Sequence, residues 1–372
     1  MKPRKIIIAP DSFKGILSAQ QVADVIADEV ASAFPECDIV KIPIADGGDG
    51  SVDTIITTLG GQIHYANVIS PDDRLIASYF GITTDGLAIL EMAQSSGIMK
   101  QDGLHPMTSS TYGFGQLIIA ALDLGARDFI LCIGGSATTD GGCGMASALG
   151  VRFSDGSGKN FVPCGATLID ISQFDVSGID KRIRDSKFTV LCDVDNPLFG
   201  ENGAAYVYGP QKGANPEQVI TLDNGLRHLG TKLFDHFGKD YANSPGAGAA
   251  GGLGVGCIVF LDAKLKRGSD AILKLCRFED HLVGADAVIT GEGKLDSQSF
   301  QGKVLSGTMS YAGDVPIVSI CGVCECDDEV LRRHKLTVFE TSEGISVEES
   351  MNDPKKYLTI AAQKAITALA KE

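Results

Sequence analysis

Ile6-Ile7-Ile8-Ala9-Pro10-Asp11-Ser12-Phe13-Lys14-Gly15 runs on toward Ser18-Ala19-Gln20-Gln21, and together they read as strand, loop and capped helix. The short apolar run ending at Pro10 lacks polar alternation, which suits a parallel strand buried on both faces. Ser18 and Gln21 have the spacing of a capping box. Val22, Val25, Ile26 and Val30 then recur at helical spacing, giving the helix one apolar face. Further along, Ile39 to Ile44 reads as a second strand. Near the other end, Ala287 to Thr290, Ile317 to Ile320 and Leu336 to Phe339 read as strands with helical stretches between them. This alternation predicts a mostly parallel, doubly wound (flavodoxin-like) sheet covered by helices, an α/β fold.

The middle of the chain is patterned differently. Gln62 to Ser70, Arg74 to Ile82 and Leu87 to Met92 read as strands with connections too short for crossover helices, so they must pair antiparallel at least in part. Asn215-Pro216 puts a cap before proline at the first position of a helix, and Val219, Leu222, Leu226, Leu229 and Leu233 line one face of that helix. The expected organisation is two dissimilar α/β domains. Residues 1–66 and 285–372 build the parallel-sheet domain, and 67–284 form a mixed-sheet α/β domain inserted in it.

Composition narrows the function. A net charge of −15 argues against a general nucleic-acid or membrane surface, so an anionic ligand must be held by local cations and backbone N–H groups. The apolar run after Met1-Lys2-Pro3-Arg4-Lys5 is too short for a signal peptide, and no stretch is long enough to span a bilayer. The ten cysteines are scattered, and Cys132, Cys192 and Cys276 lie in apolar runs, as expected of reduced thiols in a cytoplasmic protein.

The chemistry lies in glycine-rich loops that carry carboxylates. Asp11-Ser12-Phe13-Lys14-Gly15 and Asp46-Gly47-Gly48-Asp49-Gly50 each follow a strand of the proposed parallel sheet, where ligands of open α/β folds bind. The ordinary alternatives are a βα turn and a flexible acidic turn. Gly134-Gly135-Ser136-Ala137-Thr138-Thr139-Asp140-Gly141-Gly142 follows the strand Phe129 to Ile133 and suits cradling of phosphates by backbone N–H groups, although it lacks a Walker A ending. Cys192-Asp193-Val194-Asp195-Asn196 follows the strand Phe188 to Leu191, and Gly291-Glu292-Gly293-Lys294-Leu295-Asp296 follows Ala287 to Thr290, with Gly302-Lys303 beyond. Such acidic loops can bind Mg²⁺ or accept a proton; helix capping is the structural alternative for any one aspartate.

Two strings carry less weight. Gly246-Ala247-Gly248-Ala249-Ala250-Gly251 matches a dinucleotide fingerprint, but Asn243-Ser244-Pro245 precedes it in place of a strand, which disfavours a dinucleotide oxidoreductase. Cys321-Gly322-Val323-Cys324-Glu325-Cys326 has no second cysteine pair at zinc spacing and reads as strand and turn with incidental thiols.

Nearly end to end, the chain resembles the bacterial glycerate kinase family. The resemblance is carried by Ala9 to Gly15, Ala45 to Gly48, Gly134 to Thr138 with Asp140 to Gly142, and Cys192 to Val194 with Asn196 to Leu198. It continues through Gly209-Pro210-Gln211-Lys212-Gly213-Ala214, Pro245 to Gly252, and Thr290 to Gly293 with Asp296, Gln298, Gly302 and Lys303. Asp49, Thr139 and Leu305 depart mildly from the family pattern. The resemblance implies an ATP- and Mg²⁺-dependent kinase of D-glycerate of the glycerate 2-kinase type, with two dissimilar α/β domains and a cleft between them. A 3-kinase, a kinase of a related hydroxy acid, or a sugar-acid or phosphate sensor are the alternatives. Chemistry then suggests roles. Asp193 is the expected base, Lys303 faces the transferred phosphate, and Lys14 meets the anionic substrate or phosphates. Asp11, Ser12 and Asn196 bind substrate. Gly134, Gly135, Ser136, Gly141, Gly142, Gly291 and Gly293 bind nucleotide phosphates. Asp46, Glu292 and Asp296 hold Mg²⁺, directly or through water. A competing assignment gives Asp193 the metal and Asp296 the base.

Overall fold

The structure, a computed structural model, describes residues 2–13, 15–44, 47–48, 50–300 and 304–370. The chain divides into two compact units: residues 1–46, 53–59 and 267–372 form the first, and residues 47–52 and 60–266 the second. The division expected from sequence differs, with 47–52 and 60–66 in the first and 267–284 in the second. Gly61 to Asn67 lie in one continuous ladder with the following strand, so that hairpin cannot be divided. The helix Gly268–Leu275 packs on the helix Val304–Ala312, which fixes the other boundary.

Strands are labelled along the chain. β1 (Lys5–Pro10) and β2 (Asp38–Lys41) belong to the first unit. β3 (Gly61–Ile69), β4 (Leu75–Thr83), β5 (Leu87–Glu91), β6 (Asp128–Cys132), β7 (Arg152–Ser154), β8 (Asn160–Phe161), β9 (Gln173–Asp175), β10 (Lys187–Leu191) and β11 (Lys264–Lys266) belong to the second. β12 (Ala287–Leu295), β13 (Ile317–Cys324) and β14 (Leu336–Glu340) return to the first.

The first unit's sheet runs β14-β13-β12-β1-β2, every pair parallel. Counted within the unit this is the order 2-1-3-4-5 of a doubly wound, flavodoxin-like sheet, whose direction of progression reverses between β1 and β12. Ile6, Ile7, Ile8 and Ala9 are all fully buried, as a strand covered on both faces requires. Each isoleucine stabilises the fold by about 1.5–3 kcal/mol through its buried apolar surface. Ser18 caps the helix Ala19–Ala33: its side chain accepts from the Gln21 N–H, and the Gln21 side chain accepts from the Ser18 N–H. Val22, Ala23, Ile26 and Val30 pack this helix with Leu358, Ala362 and Ile366 of the helix Pro354–Leu369 in the same core.

The second unit has a mixed sheet of order β11-β10-β6-β5-β4-β3, parallel from β11 to β5 and antiparallel at β4 and β3, and a small antiparallel sheet β8-β7-β9. The helix Pro216–Phe237 starts with the expected capping box at Asn215 and buries Val219, Leu222, Leu226, Leu229 and Leu233. Among the described residues no helix is long and apolar enough to cross a membrane.

Candidate active site

In the first unit the sequence-predicted residues Asp11, Ser12 and Gly291 lie where β1 ends beside β12, at the reversal of strand order. Asp11 is 8% exposed, and its N–H donates to the Gly291 carbonyl at 2.7 Å. Its carboxylate accepts the Ser12 N–H at 2.6 Å, so Asp11 and Ser12 form one fixed turn. Gly291, Glu292 and Gly293 do not form a loop. β12 continues through them to Leu295, paired with β13 at Glu292–Cys321 and Lys294–Val323. Their glycines serve close strand approach: a Cβ on Gly291 would overlap the Ile320 carbonyl, and one on Gly322 would overlap that of Gly293. The expected phosphate loop at Gly291 and Gly293 is therefore a strand. Glu292 and Asp296 both help push up the Cys326 thiol, to about 11, after burial and Cys324. Cys321 is raised too, chiefly by burial, which favours the protonated thiol. Lys14, Asp46 and Lys303 lie outside the described residues.

In the second unit β5, β6 and β10 end side by side, with Glu91 level with Cys132 and Cys132 level with Leu191. Glu91, which no sequence motif singles out, is fully buried. It accepts from Gly50 N–H and Gln94 Nε2, both at 3.2 Å, and from Val52 N–H, and so satisfies the start of the helix Ser51–Leu59. The Gly47-Gly48 turn is pressed onto the ends of β6 and β10. Gly134 N–H donates to the Gly47 carbonyl at 3.2 Å. A Cβ on Gly134 would lie 2.9 Å from Gly48 Cα, and one on Gly47 would lie 3.1 Å from Leu191 Cβ. The two glycine loops are thus in backbone contact, which any side chain would prevent.

The loop after β6 turns around two buried charges. Asp140, wholly buried, accepts from Thr111 N–H and Oγ1, both at 2.8 Å, from Gly142 N–H at 3.1 Å and from Gly144 N–H at 3.2 Å. Burial raises its pKa, against the lowering effect of those bonds. Lys212 is 2% exposed, and its Nζ donates to Ser136 Oγ at 2.7 Å and to the Thr138 carbonyl at 2.6 Å. Desolvation depresses its pKa to about 7, with Asp140 pulling the other way. Gly141 N–H donates to the Gly251 carbonyl at 3.0 Å and Gly142 N–H to Asp140, so these two do not present donors to a phosphate as the sequence suggested. They seat the segment Ala250, Gly251 and Gly252, which is left-handed at all three residues and lies against Thr138 and Gly141. Gly134, Gly135 and Ser136 form the outer part of the loop, where Gly135 is exposed. The hydroxyls of Thr138 and Thr139 are buried and have no hydrogen-bond partner among the described residues.

Beyond β10, Asp193 is half-buried and Asp195 exposed, and after burial both push up the Cys192 thiol, to about 11. Asn196 is committed to its own loop: its Nδ2 donates to the Asn202 carbonyl at 2.8 Å and its Oδ1 accepts from Tyr208 Oη at 2.7 Å. That shapes the turn after Asp193 and leaves less of the amide for substrate than the sequence position suggests.

The glycerate kinase family profile matches residues 6–370, almost the whole chain over which these loops are distributed. The chain belongs to the glycerate kinase family. It is 42% identical over 366 residues to a glycerate kinase of Bacillus subtilis (strain 168), with 96% of each chain covered. It is 40% identical over 373 residues to a glycerate 2-kinase of Escherichia coli (strain K12), with 98% of each covered. A crystal structure from Salmonella typhimurium LT2, assigned as a glycerate kinase 2, superposes with a TM-score of 0.87 at 35% identity, covering 99% of both chains. As a member of the glycerate kinase family the chain is a kinase, a transferase that uses ATP.

Proposed function

We propose that the protein transfers the γ-phosphate of ATP to D-glycerate, at the 2-hydroxyl. Similarity over 98% of both chains to a relative named glycerate 2-kinase carries this reading. The loops support it physically. In a chain of net charge −15, anionic substrates need locally placed donors; with the Gly134 N–H taken by Gly47, Gly135 and Ser136, backed by buried Lys212, are the proposed donors of this segment.

Asp193 is the proposed base. It lies two residues past the end of β10, so its backbone is anchored. As the glycerate oxygen bonds to the γ-phosphorus and the bond to ADP breaks, the hydroxyl proton passes to the Asp193 carboxylate. Asp11 and Ser12 are proposed to bind glycerate. Lys14 and Lys303 are proposed to meet its carboxylate and the transferred phosphate.

Among the described residues no three His, Cys, Asp or Glu side chains gather as a metal cage. Mg²⁺ in nucleotide enzymes needs only one or two carboxylates beside water and phosphate oxygens, and Glu292 and Asp296, whose charges both act on Cys326, are the proposed donors, with Asp46 as a third proposed ligand. When bound, Mg²⁺ supplies charge neutralisation on the phosphoryl group. The test is a coupled assay of ADP release over a panel of hydroxy acids, with the product's phosphate position read by phosphorus NMR. ADP release should require D-glycerate and Mg²⁺ and give the 2-phosphate. Full turnover in excess EDTA, a better response to another hydroxy acid, or a 3-phosphate product would overturn the corresponding part.

A further inference from the structure

Lys212 lies in no strand-end loop, yet it is one of the largest fully buried side chains of the protein. It ends the short 3-10 turn Pro210–Lys212, which Gly213 closes at φ 92°. Gly213 packs on Leu104, and a Cβ there would lie 2.6 Å from Leu104 Cβ, so the turn is held in place. The Nζ of Lys212 does not use Asp140 as a partner. That carboxylate is already filled by Thr111, Gly142 and Gly144, while Nζ donates to Ser136 and Thr138. Burying an ammonium is expensive, and a methionine of similar length would pack here without that penalty. What the ammonium adds is a fixed direction at Ser136.

An ammonium only donates. With Nζ at 2.7 Å, Ser136 Oγ must accept, and its own proton is turned away from Lys212. Ser136 is 8% exposed and follows Gly135, which is open to solvent. We propose that Lys212 is a positioning residue that sets the Ser136 hydroxyl as a hydrogen-bond donor to an anionic substrate oxygen. The oxygen belongs either to an ATP phosphate or to the glycerate carboxylate. This rests on the reading of the Gly134–Ser136 segment as substrate-binding. Asp140, across the same loop, is the charge whose field acts on Lys212 and favours the ammonium.

The test is a double-mutant cycle with S136A, K212M and S136A/K212M. For each, kcat and the KM of ATP and of glycerate are measured, and folding is checked by circular dichroism and thermal melting. S136A and K212M should each raise the same KM by ~10-fold, the loss of one hydrogen bond to a charged group. The substrate whose KM rises identifies the oxygen. The double variant should be within about twofold of the weaker-binding single variant, because Lys212 acts through Ser136. If S136A has wild-type KM values, Ser136 meets no substrate, and both the proposal and the substrate-binding reading of this segment fail. If S136A raises a KM but the K212M effect multiplies in full on top of it, that reading stands and the proposal falls. K212M with wild-type KM values and only a lower melting temperature makes Lys212 structural and also overturns it.

Should K212M not fold, the wild type and S136A are compared across pH about 7, where Lys212 titrates. A neutral amine can accept the Ser136 proton, so the wild-type KM should rise with pH. S136A, which shares the titration of ATP itself, should lack that added rise. The same pH dependence in both refutes the proposal.

Discussion

Replacing Asp140 by asparagine keeps the size of the side chain and removes its charge, and the structure says where the difference falls. Oδ2 accepts three bonds, from Thr111 N–H, Thr111 Oγ1 and Gly144 N–H, whereas Oδ1 accepts one, from Gly142 N–H at 3.1 Å. An asparagine carbonyl in the Oδ2 position keeps three of these. Its NH₂ then meets the Gly142 N–H, donor against donor. A lost charge-assisted bond and a stranded buried donor together cost about 3–5 kcal/mol. Relief of the burial that raises the Asp140 pKa returns part of this, leaving an expected loss of about 2–4 kcal/mol. Lys212 also loses the influence that holds its pKa up, and should be largely neutral at pH 7. The chain has no tryptophan and eight tyrosines, so urea unfolding is followed by circular dichroism and tyrosine fluorescence. A midpoint shift worth less than about 1 kcal/mol at unchanged slope would refute the view that this carboxylate organises the loop.

Three further outcomes are expected. Asp193→Asn should lower kcat by at least ~100-fold with the fold intact and Mg²⁺ dependence little changed; recovery at raised Mg²⁺ would make Asp193 a metal ligand, and near-normal activity would leave it a structural turn residue. Lys14→Ala and Lys303→Ala should each lower kcat/KM by roughly 10- to 1000-fold, as loss of a preorganised charge contact does; wild-type kinetics in both would make them solvated lysines. Lys212 binds its proton less tightly folded, at about 7, than unfolded, at 10.5, so between these values the unfolded chain holds more protons and stability should rise with pH. Urea midpoints across that range should show the rise in the wild type and its loss in K212M.

Much of the fold is legible in single residues. Ile6 to Ala9 announce a strand buried on both faces because they never alternate, and Ser18 with Gln21 announce the helix start because the cap is a purely local bond. Asn215 with Pro216 does the same for the helix that carries Leu222 and Leu226. The acidic strand ends at Asp11 and Asp193 follow from where those strands stop. What the local pattern could not convey is which glycine does what. Gly291 and Gly293 look like a loop, but they continue β12, which pairs with strand β13, more than twenty residues away in sequence, so closely that a Cβ on Gly291 or on Gly322 is excluded. Gly141 and Gly142 look like phosphate donors, yet their N–H groups are taken by Gly251 and Asp140. Glu91 ends an apolar strand and Lys212 sits in a short turn, and neither carries a sequence signal of burial. Their partners are 39 to 76 residues distant, at Val52 and Ser136. A capping bond or an apolar stripe is fixed by neighbours within one or two turns of chain, so the sequence alone determines it. The burial of a charge and the partner that makes it tolerable depend on which distant backbone folds over it, and only the tertiary structure decides that.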